Sequence, residues 1–172
     1  IKSIGYLLSI SPTILNSTSI EAAQEVARKS IHALGLRSTT AHIELIKSDD
    51  VWQVIELGPR MGGFRHRMHK LTHNIDHQLN DVLIRIYRKP ILPKKLRGYT
   101  AGMKFFAPKE GTITEINGIK MVQELSSFKE LMQRLKVGER AVFAKNGGKA
   151  IFEIILFNKD RSNLLADIRR IE

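Results

Sequence analysis

The sequence predicts an α+β chain in two parts, an antiparallel hairpin with packed helices followed by a small antiparallel β domain. Three observations predict this class. Two strand patterns flank the polar turn Ser48-Asp49-Asp50, which is too short for a parallel crossover. Amphipathic segments with end signals lie on either side of that hairpin. After the Lys/Arg/Pro-rich stretch that ends at Gly98, short strands and turns dominate, so we divide the chain into 1–98 and 99–172.

The first part begins with a strand and a helix. Residues 4–10 form an apolar run that ends at Ser11-Pro12, which predicts a strand. The helix that follows is predicted to begin at a capping box formed by Thr18 and Glu21, and to end at Gly35. Apolar residues recur along it at spacings of three and four, namely Ile20, Ala23, Ala27, Ile31 and Leu34.

The hairpin and a second helix complete the first part. The predicted strands are 42–47 and 51–57, and a glycine-rich loop, 58–63, follows the second strand. A longer helix is predicted over 65–88, because apolar residues recur with a 3.6-residue period until the prolines at 90 and 93. Its predicted apolar face comprises Met68, Leu71, Ile75, Leu79, Val82, Leu83 and Ile86.

The second part is predicted to consist mainly of strands. A closing helix is predicted over 159–171. The segment 128–135 has helical spacing, with Ser127 and Glu130 as a capping box, although a strand is also compatible with it. The strands are expected at 99–107, 112–116, 120–125, 141–145 and 150–157, with hairpin turns at Asn117-Gly118 and Asn146-Gly147-Gly148.

The composition excludes several classes of protein. The chain has 172 residues, of which 42% are apolar, so it can bury a core. It has no cysteine, which excludes disulfides, thiolate zinc sites, iron–sulfur clusters and a cysteine nucleophile. The apolar runs are too short for a transmembrane helix and the first residues lack a signal-peptide layout, so we expect a cytoplasmic location. Because residue 1 is Ile, we expect either a trimmed start or a piece of a longer polypeptide.

The net charge of +11 is compatible with three kinds of partner. These are a nucleic acid, an anionic small molecule, or an acidic companion half of the same protein. Residues 82–109 contain eight bases and no acid, yet their aromatic residues are not interleaved with the bases. We therefore do not expect a nucleic-acid partner and keep a basic nucleic-acid-binding module as the alternative function.

Two carboxylates on the predicted hairpin form the candidate site. Glu44 lies in the first strand and Glu56 near the end of the second, and a tight turn predicts that they lie nearly opposite each other. Like charges in that arrangement destabilise a sheet unless a cation lies between them, and Mg²⁺ binds carboxylates together with phosphate oxygens and water. The loop that follows offers backbone N–H groups and the Arg60 guanidinium to a phosphate. An ordinary surface turn with exposed acids remains the alternative.

Four histidines form a second candidate site on the predicted second helix. They are spaced by three, four and four residues and so share one stripe, opposite the apolar face, where a pair could bind a transition metal. A polar helix face is the alternative interpretation. A third is that Arg65, His66 and His69 line a substrate pocket. The four histidines are His66, His69, His73 and His77.

Segments 41–46 and 54–63, with the sequences AHIELI and VIELGPRMGG, resemble the metal-binding end of the ATP-grasp superfamily. The branch that they resemble most contains amino-acid ligases and, more distantly, biotin carboxylase and carbamoyl phosphate synthase. The helix end Ala33-Leu34-Gly35-Leu36 also fits, and 105–111 and 135–139 look like the C-terminal lid of the same ligases. The resemblance implies the C-terminal half of an ATP-grasp fold, an antiparallel hairpin with packed helices, followed by a small antiparallel β lid domain.

The resemblance also implies roles for individual residues. Glu44 and Glu56 would coordinate Mg²⁺, or Mn²⁺, on the phosphates of ATP, and Ile46 would pack against the adenine. Arg60 would stabilise the phosphate oxygens of an acylphosphate or hold the substrate carboxylate. In the implied reaction ATP phosphorylates a small carboxylate, and an amine or ammonia then displaces phosphate. Residues near the substrate would be Gly62, Gly63, Arg65 and His66.

The sequence departs from the family pattern in two ways. Gly58 stands where the family usually has an Asn that serves as a further metal ligand. The lysines and the hinge that grip the nucleotide come earlier in the family's chain than Ile1. We therefore expect a C-terminal portion of a larger ligase, with the missing N-terminal portion of the same protein as its partner and little activity alone. A non-catalytic, regulatory remnant is the further alternative.

Overall fold

A computed structural model describes residues 5–143 and 149–172, which form two compact units. Over the described part of the chain, none of the helices has both the length and the apolar content that a membrane crossing requires. The first unit contains strand β1 (Tyr6–Ser11), Leu71–His73 and the described part of Lys95–Glu172, and the second contains Thr13–Lys70 and Asn74–Lys94.

The second unit begins with the predicted amphipathic helix, α1 (Ser17–Ala33). The predicted capping box at Thr18 is wrong, because the Asn16 side chain already accepts a hydrogen bond from the Ser19 N–H at 2.8 Å and caps the helix two residues earlier. The predicted end is confirmed. Gly35 has a φ of 64° and follows the last turn, a left-handed conformation that glycine adopts without steric cost.

The predicted hairpin is confirmed as β2 (His42–Ser48) and β3 (Val51–Gly58). Asp49 and Asp50 both have positive φ angles, of 48° and 63°, as a two-residue type I′ turn requires. The register is regular from the turn up to the Leu45–Val54 pair, and one extra residue on β3 then shifts it before Glu44.

The single helix predicted over 65–88 is wrong. The structure has two helices instead, α2 (Arg65–His73) and α3 (His77–Arg85). Asn74 between them adopts the left-handed conformation, with a φ of 58°, and its N–H bonds the Lys70 carbonyl oxygen. The Asp76 side chain then caps α3 by accepting the Leu79 N–H at 3.0 Å. A C-terminal cap followed directly by an N-terminal cap interrupts the helix while leaving the apolar spacing unchanged.

The predicted apolar face of that helix is only partly buried. Met68 on α2 is 2% exposed, whereas Leu79, Val82 and Ile86 are between 46% and 57% exposed. The regularly spaced apolar residues of α3 are therefore not covered by the described residues of this unit.

The first unit contains a four-stranded antiparallel sheet, in agreement with the predicted fold class. Its strand order is β1, β4, β8, β6, so the N-terminal strand belongs to this sheet rather than to the hairpin. Besides β1, the elements of the unit are β4 (Tyr99–Phe105), β5 (Gly111–Thr112), α4 (Ile119–Gln123), β6 (Phe128–Gln133), β7 (Arg140–Ala141), β8 (Phe152–Asn158) and α5 (Arg161–Ile171).

Three strand predictions in this unit need correction. The expected strand 120–125 is the short helix α4, which follows Gly118 in the left-handed conformation. The expected strand 112–116 is reduced to the pairing of β5 with β7. At 128–135 the strand alternative is correct, because β6 pairs with the central strand β8. The predicted turn Asn146-Gly147-Gly148 lies outside the described residues.

The core of the first unit lies between the sheet and α5. Alternate residues of β4 and β8 face α5, whose buried residues recur at a spacing of four, as the strand and helix periods require. The residues of this core are Ala101, Met103, Ile154, Leu156, Leu164 and Ile168.

Asp167 on α5 is a buried carboxylate, 1% exposed, that holds the start of β6. It accepts hydrogen bonds from the Ser127 N–H and the Ser126 hydroxyl, both at 2.9 Å, and from the Arg170 guanidinium at 2.8 Å. Burial by itself raises the pKa of Asp167, but these hydrogen bonds and the Arg170 charge outweigh burial and hold the pKa below its usual value of 3.8.

Replacing Asp167 with Asn is expected to lower the free energy of unfolding at pH 7 by about 1–3 kcal/mol, because the amide matches these donors less well. A depressed pKa contributes stability above the unfolded pKa and loses it as the pH falls through the folded pKa. Urea unfolding of both proteins from pH 7 down to pH 2.5 should therefore show that the free energy of unfolding of D167N falls less as the pH is lowered. If the free energies of unfolding of the two proteins fell equally with pH, the stabilising role of the Asp167 carboxylate would be contradicted.

Candidate functional site

The hairpin of the second unit places two carboxylates side by side. Glu44 on β2 pairs directly with Glu56 on β3, which confirms the predicted pairing. Directly opposite residues of an antiparallel pair project from the same face of the sheet. The two side chains are 42% and 55% exposed, so both carboxylates are open to a ligand.

Each carboxylate has a partner of its own. Glu44 Oε1 accepts a hydrogen bond from His42 Nε2 at 3.1 Å, and Arg65 Nη1 lies 4.0 Å from the same oxygen. Glu56 Oε1 accepts a hydrogen bond from Arg60 Nη2 at 3.3 Å. Exposed ion pairs of this kind are weak, because water screens them. A divalent ion that binds both carboxylates can therefore displace the guanidinium groups at little cost.

The glycine-rich loop after β3 lies against His42 and contains Arg60, which are the hydrogen-bonding partners of Glu44 and Glu56. A Cβ on Gly62 would lie 2.7 Å from His42 Nδ1, closer than side chains tolerate. A Cβ on Gly58 would lie 3.4 Å from Arg60 Cγ, so the Arg60 side chain occupies the space next to position 58. Arg60 also donates a hydrogen bond to the Met61 carbonyl oxygen at 3.1 Å. The loop thus lies close to the carboxylate pair.

Ile46 lies two residues beyond Glu44 on β2 and therefore projects from the same face of the strand. It pairs with Gln53 and is 50% exposed. The structure thus leaves an apolar side chain open beside the carboxylates. Its contact with adenine stays a prediction.

A cavity of about 90 Å³ lies beside the carboxylates within the same unit. Its lining includes Arg65 and four histidines, His42, His66, His69 and His77, and the rings of His69 and His77 are 5.1 Å apart. The predicted stripe of four histidines on one helix is wrong, because the chain turns at Asn74 and the lining of the cavity does not include His73.

The histidine cavity does not have the character of a metal site. Within residues 5–143 and 149–172, no group of three or more His, Asp or Glu side chains is arranged to hold a metal ion. Burial lowers the pKa of His77, and the nearby His66 lowers it further, whereas Asp76 raises it. His66 Nδ1 donates a hydrogen bond to the Gly63 carbonyl oxygen at 2.5 Å.

Three of the four residues predicted near the substrate line this cavity, namely Gly62, Arg65 and His66. The fourth, Gly63, contacts it through the hydrogen bond to His66. The structure therefore brings the predicted substrate residues together and places them next to Glu44.

The residues present fit a magnesium ion that arrives with phosphate. Mg²⁺ is commonly bound by one or two carboxylates, with the remaining ligands supplied by phosphate oxygens and water. Glu44 and Glu56 provide such a pair on one face, and Gly58 adds no side-chain oxygen. Two carboxylates suit an ion that takes its remaining ligands from phosphate or water rather than from protein alone.

His42 is a site residue that the sequence interpretation missed. The sequence carried a signal for it, because a histidine two residues before Glu44 on a strand must share its face. The sequence indicates Gly62 only as a residue near the substrate, because its contact with the His42 ring depends on how the loop folds back.

Comparison with solved structures defines the class of fold. The chain has the fold of the C-terminal portion of ATP-grasp enzymes, which confirms the resemblance of the sequence at the level of the fold. No protein-family model matches the chain, and no curated protein matches its sequence.

The similar structures include an L-amino acid ligase from Bacillus licheniformis, with a TM-score of 0.82 and 20% identity over 95% of this chain and 42% of that one. Phosphoribosylglycinamide synthetase from Anaerococcus prevotii has a TM-score of 0.72 and 16% identity over 96% of this chain and 43% of that one. Biotin carboxylase from Campylobacter jejuni has a TM-score of 0.57 and 20% identity over 95% of this chain and 37% of that one. The chain therefore spans less than half the length of these enzymes.

Proposed function

We propose that this chain is the C-terminal, metal-binding portion of an ATP- and Mg²⁺-dependent ligase, which joins a carboxylate to an amine or ammonia through an acylphosphate. The observation that carries the proposal is the direct pairing of Glu44 with Glu56, in a chain whose fold matches the C-terminal portion of ATP-grasp enzymes. The names of the similar structures, an L-amino acid ligase and a phosphoribosylglycinamide synthetase, agree with this reaction class.

In this proposal Glu44 and Glu56 hold Mg²⁺, or Mn²⁺, on the phosphates of ATP. The bound ion neutralises phosphate charge, which is the main requirement of phosphoryl transfer. Arg60 is 59% exposed and bonded only weakly to Glu56, so its guanidinium is free to turn to a phosphate oxygen or a substrate carboxylate. Ile46 offers an apolar surface for the adenine ring on the same face of β2.

The histidine cavity supplies the proposed substrate end of the site. Arg65 places a guanidinium in the wall of this cavity, which favours an anion and fits the carboxylate that becomes phosphorylated. Gly62 and Gly63 let the loop backbone approach closely beside it. The residues that line the cavity belong to the same compact unit as the carboxylates.

The partner in this proposal is the remaining polypeptide of the same ligase. The chain spans 42% of the L-amino acid ligase that it resembles. Among the described residues, the β2–β3 hairpin pairs with no further strand, and Val51 and Ile55 are 58% and 62% exposed. A two-stranded sheet is marginally stable by itself, so this surface suits further protein.

Calorimetric titration with Mg-ATP tests the proposal. We expect weak binding by this chain and tight binding by a form extended at its N-terminus to the length of the similar ligases. In the extended form, E56Q should remove most of the binding. Equal, tight binding by both forms would refute the division of the site between two portions, and unchanged binding by E56Q would refute the metal role.

Replacing Gly58 with Asn is expected to tighten Mn²⁺ binding by roughly tenfold, because an amide oxygen two residues beyond Glu56 would project from the same face and add a ligand. The backbone of Gly58 is not in the left-handed region, so the new side chain needs only a small shift of Arg60. G58A is the matched control, since it adds the Cβ without the oxygen. Equal affinity of G58N and G58A, measured by electron paramagnetic resonance (EPR) of free Mn²⁺, would contradict this expectation.

A further inference from the structure

We propose that His42 is a positioning residue that fixes the orientation of Glu44 for the metal, and that Gly62 sets the place of the His42 ring. The inference rests on the proposed function, because it concerns the carboxylate pair of that site. The three residues form one line of contact from the glycine-rich loop, through the imidazole, to the metal-binding carboxylate.

The contact between His42 and Glu44 defines the direction of the hydrogen bond. A carboxylate accepts hydrogen bonds, so the Nε2 atom of His42, 3.1 Å from Glu44 Oε1, carries the proton. The His42 side chain is 15% exposed, whereas that of Glu44 is 42% exposed. An enclosed ring therefore holds one oxygen of a more exposed carboxylate and leaves the other oxygen for a ligand.

Gly62 fits the ring by having no side chain. A Cβ at position 62 would lie 2.7 Å from Nδ1, 3.1 Å from Cε1 and 3.2 Å from Cγ of His42. The backbone of Gly62 is not in the left-handed region, so its conformation would accept alanine. The imidazole, rather than the backbone angle, therefore requires glycine here.

This arrangement couples the loop to the carboxylate. A shift of Gly62 against the ring moves Nε2. Glu44 would follow, because its Oε1 is hydrogen-bonded to Nε2 at 3.1 Å, whereas Arg65 lies 4.0 Å from the same oxygen. Groups that orient metal ligands by hydrogen bonds commonly change metal affinity by 10- to 100-fold when they are removed.

Titration with Mn²⁺ alone, followed by EPR of the free ion, tests the proposal on this chain. We expect H42A to weaken binding by about tenfold and H42Q to restore most of it, because the glutamine amide can donate a similar hydrogen bond. G62A should weaken binding by a similar factor. G5A is the matched glycine control, since no heavy atom of the described residues lies within 4 Å of its added Cβ and it belongs to the other unit.

A double-mutant cycle separates positioning from a general loss of structure. If Gly62 acts through the ring, the H42A/G62A double variant should bind Mn²⁺ no more weakly than H42A alone. Additive losses would overturn the role of Gly62, and unchanged binding by H42A would overturn the role of His42. Equal thermal unfolding midpoints of H42A and H42Q would show that the rescue concerns the site rather than the fold.

The variant E44Q distinguishes failure of this inference from failure of the proposed function. If E44Q loses binding while H42A does not, the metal site stands and the positioning role is wrong. If E44Q binds Mn²⁺ as well as the unaltered chain does, the proposed metal site itself is wrong.

Discussion

Replacing Glu56 with Gln is expected to weaken Mn²⁺ binding by this chain on the order of 10- to 100-fold, and replacing Glu44 as well is expected to abolish it. Glutamine keeps the size of the side chain but removes the charge that attracts a hard divalent cation. The two carboxylates are directly opposite each other on the hairpin, so E56Q removes half of the negative charge of the pair and the double variant removes all of it. EPR of free Mn²⁺ measures the affinity.

The same variants should not destabilise the chain, because they also relieve repulsion between like charges across the hairpin. The matched control is E21Q, which removes one exposed carboxylate from α1 in the same unit. Equal weakening by E21Q and E56Q would show that net charge, rather than the pair, determines binding. Unchanged affinity in E56Q would contradict the metal role directly.

Replacing Leu164 with Ala is expected to lower the free energy of unfolding of the first unit by about 3 kcal/mol. Leu164 lies on the face of α5 that packs against the sheet and is 0% exposed. Truncation would remove apolar contacts and leave a cavity among Met103, Leu156 and the other core residues.

Urea unfolding followed by circular dichroism measures this loss. L96A is the matched control, because Leu96 belongs to the same unit and is 41% exposed. It should change the free energy of unfolding by less than about 1 kcal/mol. Equal losses in L164A and L96A would mean that α5 does not pack on the sheet as described.

The sequence predicted the approximate place of the carboxylate pair from local rules, whereas the direct pairing depends on a bulge. Asp49 and Asp50 tolerate positive φ angles, so the turn is short and sets the register as far as the Leu45–Val54 pair. The extra residue on β3 was not predictable, since nothing in the alternation of β3 marks it. It nevertheless brings Glu56, rather than Ile55, opposite Glu44.

Other parts of the fold depend on context that a single pattern does not carry. The helix break at Asn74 left the apolar spacing intact, so the pattern still indicated one helix. Residues 119–123 form a helix although their composition suits a strand, because Gly118 turns the chain in the left-handed conformation. The contact of Gly62 with His42 joins residues twenty positions apart and depends on the folded loop.

The central claim is that Glu44 and Glu56 together bind a divalent metal ion with a nucleotide. Crystals of the chain, or of its extended form, grown with Mn²⁺ and a non-hydrolysable ATP analogue allow the most direct measurement, an anomalous difference map at the manganese edge. We predict a peak in contact with carboxylate oxygens of both glutamates. A map in which manganese at saturating concentration occupies only the histidine cavity, or no position near the pair, would contradict the claim.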